Sequence, residues 1–135
     1  MALIEWNDKF SVKIGKFDDQ HKKLVAMVNQ MHDAMKVGKG REVLGEILQS
    51  LAQYTMTHFA DEEQQMKNHG FPGYEEHKKQ HNMLVLQVRE TMEAHRRGEP
   101  ILTQDIMEFL KQWLTDHIQD CDKKYGPFLN GKGVK

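Results

Sequence analysis

Apolar residues in this chain recur at alternating steps of three and four along almost its whole length. That period belongs to helix and not to strand. Only three prolines interrupt it. A first helix is expected from about Asp19 to Val37, capped by Asp18 and ended by Gly38, with His21, Leu24, Val28, Met31 and Met35 along its seam. A second runs from about Arg41 to Lys67 with seam Leu44, Leu48, Leu51, Thr55, His58 and Glu62. The Gly- and Pro-containing stretch 68–73 breaks it. A third covers about Tyr74 to Arg97 with seam Tyr74, His77, His81, Leu84, Val88, Met92 and His95, and Gly98 and Pro100 end it. Thr103 caps a fourth reaching about Cys121, with seam Ile106, Leu110, Trp113 and His117.

Short connections between long amphipathic helices favour antiparallel neighbours. The expected fold is therefore all-α, an up-down-up-down antiparallel four-helix bundle forming one domain over 1–135. Residues 1–17, with Trp6, Phe10 and Phe17, form an N-terminal arm packed on a bundle spanning 18–122. Residues 123–135 are a C-terminal tail that frays from Asn130.

Each seam carries a polar residue where a plain bundle would place leucine. His58 and Glu62 are four apart, as are His77 and His81, so each pair projects from one face a turn apart. His21 lies near the start of helix one, His58 and Glu62 near the end of helix two, His77 and His81 near the start of helix three, and His117 near the end of helix four. In this topology start, end, start and end are the same end of the bundle. Six converging buried polar groups without partners would cost roughly 1–3 kcal/mol each. A metal relieves that cost, and imidazole with carboxylate suits iron, zinc or copper. One tetrahedral zinc would use about four ligands, so two metals fit the supply better. Asp122 lies five residues after His117, about 140° round an α-helix, and reaches the cluster only if the helix ends or loosens there. Periodicity does not choose it over Asp116 or Asp120.

The remaining histidines read differently. His95 falls about 20 Å along its helix from His81, and His32 and His69 sit on a flank and in a loop. The methionines read as packing. Cys121, the single cysteine, excludes an internal disulfide and reads as an unligated buried thiol in a reducing, cytoplasmic setting. Charged residues make up 29% of the chain with both signs interspersed and a net charge of −1, which argues against a nucleic-acid partner. No apolar run approaches the roughly 20 residues of a transmembrane helix, and the N-terminus lacks the basic and apolar regions of a signal peptide.

A lone His in helix one, then His-x3-Glu, His-x3-His and His-x4-Asp, together form a pattern that resembles the hemerythrins. The resemblance spans nearly the whole chain. The arm with Trp6 and the run His117 to Tyr125 look like the bacterial members in particular. Myohemerythrin, a member of this family, is itself a type example of the up-down-up-down bundle. The resemblance implies two iron ions as cofactor, with His77, His81 and His117 on one, His21 and His58 on the other, and Glu62 and Asp122 bridging. Two six-coordinate irons take about twelve bonds. Five histidines, two bridging carboxylates and a bridging oxide or hydroxide fill all but one, on the iron with two histidines. It also implies an apolar oxygen pocket of Leu24, Phe59, Trp113, Leu114 and Ile118. The implied function is reversible dioxygen binding by a carrier, store or delivery protein, with an oxygen-consuming enzyme as a conceivable recipient. The alternatives are a di-iron peroxidase, oxidase or nitric-oxide-handling enzyme, or an oxygen-sensing module.

Overall fold

The computed structural model describes residues 3–99 and 103–135. Pro100, expected to help end the third helix, and the first two residues of the arm lie outside them. Among the described residues the regular structure is all helical. A 3-10 turn, Asp8–Phe10, precedes α1 (Gly15–Lys36), α2 (Gly40–Asn68), α3 (Tyr74–Arg96) and α4 (Thr103–Asp116). A π-helical turn, His117–Asp122, then leads into α5 (Lys123–Gly131).

The chain reverses tightly after α1 because Gly38 takes φ +75°. That conformation lets the Lys39 N–H reach back to the Ala34 carbonyl at 2.7 Å and close the helix end. Gly70, at φ +70°, does the same for α2, with the Phe71 N–H on the Met66 carbonyl. Side-chain bonds show the antiparallel order: Gln20 near the start of α1 meets His58 and Asp61 near the end of α2. Glu63 near the end of α2 meets His81 near the start of α3. Helix α1 packs on α2 and α4, and α2 packs on α3. Leu24, Val28 and Met31 of α1, Leu44, Leu48 and Leu51 of α2, Leu84 and Val88 of α3, and Leu110 and Leu114 of α4 fill the space between them. The expected four-helix bundle is the observed one.

Three boundaries differ from the sequence reading. Helix α1 begins at Gly15, so Asp18 lies inside its first turn and is not a cap. The Asp18 carboxylate instead accepts from the Val12 N–H at 2.8 Å and the Ser11 hydroxyl at 2.6 Å, tying the arm to the helix start. The fourth helix does not stop at Cys121. It passes through the π turn into α5, which extends to Gly131, past the expected fraying point. Tyr125 and Leu129 are fully buried and hold α5 in place.

The arm packs on the bundle. Ile4 and Asn29 exchange two hydrogen bonds of 2.9 Å, and Trp6 stacks on Phe10. Val12, Ile14 and Phe17 join Met66, Tyr125 and Leu129 in a second apolar cluster. Arm and α5 together therefore close the bundle end where the polar seam residues gather. No helix of the described residues is long and apolar enough to cross a membrane.

Candidate metal centre

Seven side chains meet inside that closed end: His21 from α1, His58 and Glu62 from α2, His77 and His81 from α3, and His117 and Asp122 from the π turn. None is more than 4% exposed. They form two overlapping groups, Glu62, His77, His81, His117 and Asp122 in one and His21, His58, Glu62 and Asp122 in the other. Within each group one ligand atom per residue lies within 4.8 Å of all the others. The two carboxylates belong to both groups. His32, His69 and His95 belong to neither, and His95 packs against Gly45 at the far end of α3.

The five imidazoles approach through Nε2. Asp122 Oδ1 faces His77 at 2.7 Å and His117 at 3.0 Å, while its Oδ2 faces His21 at 2.9 Å. Glu62 Oε1 faces His58 at 3.2 Å and His81 at 3.3 Å, and its Oε2 faces His21 at 3.1 Å. Close approach is not the same as hydrogen bonding here. Glu62 Oε1, His77 Nε2 and both Asp122 oxygens are buried with no hydrogen-bond partner. With the imidazoles neutral and Nε2 unprotonated, their lone pairs converge on shared points. Leaving such groups unpaired costs roughly 1–3 kcal/mol each, more when charged. Cations at those points would satisfy all of them, and a nitrogen-rich set with two shared carboxylates fits a pair of iron ions.

Charge leads to the same place. Burial works against the charged form of His21, but Asp122 and Glu62 outweigh it and raise the imidazole to about 10. His117 is likewise opposed by burial and raised to about 10, chiefly by Asp122. Burial pushes Glu62 up, yet His58, His21 and His81 hold it well below the usual carboxylate range. Burial and Glu62 push Asp122 up, and His117 and His21 override them downwards. The two carboxylates thus demand positive charge inside the bundle. Protons on histidine supply it without metal, and metal ions displace those protons on binding.

A family model described as the hemerythrin HHE cation binding domain matches residues 12–129. The chain belongs to the hemerythrin family. It is 37% identical to a bacteriohemerythrin of Methylococcus capsulatus over 131 residues, 96% of this chain and 99% of that one. It is 34% identical to a bacteriohemerythrin of Pseudomonas aeruginosa, with 93% and 80% covered. Its structure superposes on a crystal structure of wild-type hemerythrin with a TM-score of 0.87 at 36% identity, covering 95% of this chain and 98% of that one.

Around the hemerythrin cluster lies a set of residues that sequence reasoning missed. Gln20 Oε1 accepts from His58 Nδ1 at 2.6 Å, Glu63 Oε2 from His81 Nδ1 at 2.9 Å and Gln80 Oε1 from His117 Nδ1 at 3.1 Å. Such bonds fix ring orientation and direct Nε2 inward. Each acceptor is the sequence neighbour of one cluster residue and serves a histidine on the adjacent helix. The available signal was a polar residue one position from a seam ligand, about 100° round the helix and facing the next helix. Tyr125 donates its hydroxyl to Glu62 Oε2, and burial, together with Glu62 and Asp122, pushes that phenol well above its usual value. Cys121 is half-buried, less enclosed than expected, and its Sγ–H bonds Gln80 Oε1 at 2.9 Å.

One turn deeper into the bundle lies an apolar cavity of about 10 Å³, roughly room for one water-sized molecule. Leu24, Thr55, Leu84 and Leu114 line it, each three residues from a cluster histidine, together with Trp113. Trp113 stacks on His117 at 4.3 Å. Of the five expected pocket residues, Leu24, Trp113 and Leu114 line this cavity. Phe59 instead lies flat on His81 at 3.8 Å, and Ile118 is fully buried in the bundle core.

Proposed function

We propose that this hemerythrin binds dioxygen reversibly at a non-haem di-iron centre, as a carrier, store or delivery protein. The observation that carries the reading is the pair of overlapping groups, three imidazoles in one and two in the other, with Glu62 and Asp122 common to both. His77, His81 and His117 would hold one iron, His21 and His58 the other, and the two carboxylates would bridge. Iron held there would supply electrons and, at the position with two histidines, a place for a diatomic molecule to bind.

The chain supplies the rest. Gln20, Glu63 and Gln80 each lie within hydrogen-bond reach of the Nδ1 of one imidazole, which turns its Nε2 inward. Tyr125 keeps Glu62 oriented. Leu24, Trp113 and Leu114 keep the adjacent cavity apolar, so an apolar gas enters it more readily than water. Among the described residues no titratable side chain lines that cavity, and the Thr55 hydroxyl is engaged with the Ala52 carbonyl. Proton delivery to a bound molecule from that side is therefore poor, which favours binding over turnover. The unpaired Cys121 thiol suits a reducing compartment such as the cytoplasm.

Anaerobic loading with ferrous iron, followed by admission and removal of oxygen, tests the reading. A visible charge-transfer band that appears with oxygen and vanishes on purging supports it. Irreversible conversion to a ferric spectrum, or turnover with a reductant and substrate, favours a di-iron oxidase or peroxidase. Failure to take up iron sinks both.

A further inference from the structure

The three outer hydrogen bonds to the cluster histidines are not equivalent. His58 and His117 donate their Nδ1–H groups to the amide oxygens of Gln20 and Gln80, whereas His81 donates its Nδ1–H to the carboxylate of Glu63. Glu63 belongs to neither ligand group. Its side chain is 19% exposed and that of His81 only 1%, so the bond runs from the sealed site to the edge of solvent. Phe59 covers one face of the same imidazole at 3.8 Å, with the rings 4° from parallel. Ring position and partner are thus both set.

A hydrogen bond to an ionised acceptor is shorter and roughly twice as strong as one to a neutral acceptor. A carboxylate partner also draws the Nδ1 proton toward itself and makes the other ring nitrogen more basic. More electron density at His81 Nε2 stabilises the higher charge state of a metal held there. The other two outer partners, being amides, orient their rings without this effect.

We propose that Glu63 is a positioning residue that, through His81, biases the iron held with His77 and His117 toward its ferric state. The inference rests on the di-iron reading above. It makes the two iron positions electronically unequal through a residue outside the ligand set. The three-histidine iron receives the anionic push, and the iron with the coordination position for a diatomic receives a neutral amide.

The test is a spectroelectrochemical titration of the iron-loaded protein, with iron content measured alongside. Glu63→Gln preserves size and a hydrogen-bond acceptor and removes the charge. It should shift the ferric/ferrous balance about tenfold toward ferrous, about 59 mV higher for a one-electron couple, with both irons retained. Gln80→Glu places a carboxylate on His117 of the same iron and should shift the balance the opposite way. The double variant should return near the starting potential. If Glu63 acts through shape alone, Glu63→Gln leaves the potential unchanged, and that result with full iron content overturns the proposal. Loss of iron from a folded Glu63→Gln variant also overturns it, since Glu63 would then hold the site together instead of biasing it. If Glu63→Gln does not fold, Glu63→Asp, which keeps the charge but shortens the reach to His81, takes its place: a raised potential supports the proposal and an unchanged potential with full iron content overturns it. Absence of iron uptake by the unaltered protein overturns the di-iron reading, and this inference with it.

Discussion

His117 Nε2 and Asp122 Oδ1 lie 3.0 Å apart although Asp122 comes five positions later in the chain. In a continued α-helix the two would diverge by about 140°. The π turn His117–Asp122 adds a residue to the last turn and brings both side chains onto the cluster. Ile118 stays in the bundle core at the same time. The helix gives up regular geometry at the place where it contributes two groups to one site.

Asp122→Asn tests whether that geometry holds metal. The amide keeps the size of the side chain and loses the charge and one of two equivalent oxygens. Iron affinity should fall by at least about 10–100-fold, the loss typical even of residues that only support a ligand. Titration with ferrous iron against a competing chelator measures it. Full loading at unchanged affinity would remove Asp122 from the ligand set.

Leu114 is 6% exposed and lines the apolar cavity. Leu114→Ala enlarges the space and should lower stability by about 2–5 kcal/mol. Water gains access, so autoxidation of the oxygenated protein should quicken. The decay of the oxygenated spectrum in air measures this, and an unchanged rate would show that the site is sealed elsewhere.

Tyr125→Phe keeps the ring contact with Phe17 and removes the hydroxyl donated to Glu62. Glu62 Oε2 is left with one partner fewer inside the bundle. Stability of the metal-free protein should drop by about 1–3 kcal/mol, read from denaturant unfolding. No change would mean that the hydroxyl contributes nothing to holding the carboxylate.

A Cβ at Gly126 would lie 2.6 Å from the Val12 carbonyl oxygen. The arm backbone leaves no room for it, so Gly126→Ala should push arm and α5 apart at a cost of about 1–3 kcal/mol. Gly131 has nothing within 4 Å of the same atom, and Gly131→Ala is the matched control. Equal melting temperatures for the two variants would contradict the close packing of arm on α5.

Stability of the metal-free protein should depend on pH in a defined direction. His21 and His117 are raised from 6.5 to about 10, so the folded state holds their protons more tightly than the unfolded chain. Their contribution is complete below pH 6.5 and is lost as pH rises toward about 10. Glu62 and Asp122 are depressed below 4.5 and 3.8, so theirs is present above those values and lost as pH falls through the depressed ones. The melting temperature should therefore be higher at pH 6 than at pH 9 without metal. Ferrous iron must displace the histidine protons, so its stabilising effect should grow over the same interval. A metal-free melting temperature that rises from pH 6 to pH 9 would refute this account.

Most of the site was legible as periodicity. A histidine or glutamate where a helical seam calls for leucine reveals which face it occupies, and its distance from the helix end reveals its level in an antiparallel bundle. Those two facts bring His21, His58, Glu62, His77, His81 and His117 together with no knowledge of packing. They also separate His95, which shares the α3 seam but lies at the other end.

The four amphipathic helices, their reversals at glycine and the convergence of six polar groups are all written in local spacing. Packing between elements accounts for three further matters. It turned Asp122, which periodicity does not distinguish from Asp116 or Asp120, inward through the π turn. It folded residues 123–131 as α5 with Tyr125 buried, because that helix is held by Val12, Phe17 and Met66, far away in the chain. It also paired Gln20, Glu63 and Gln80 with histidines on neighbouring helices. Spacing along one helix specifies a direction about its own axis, whereas these three outcomes depend on what the adjacent helix or arm presents there.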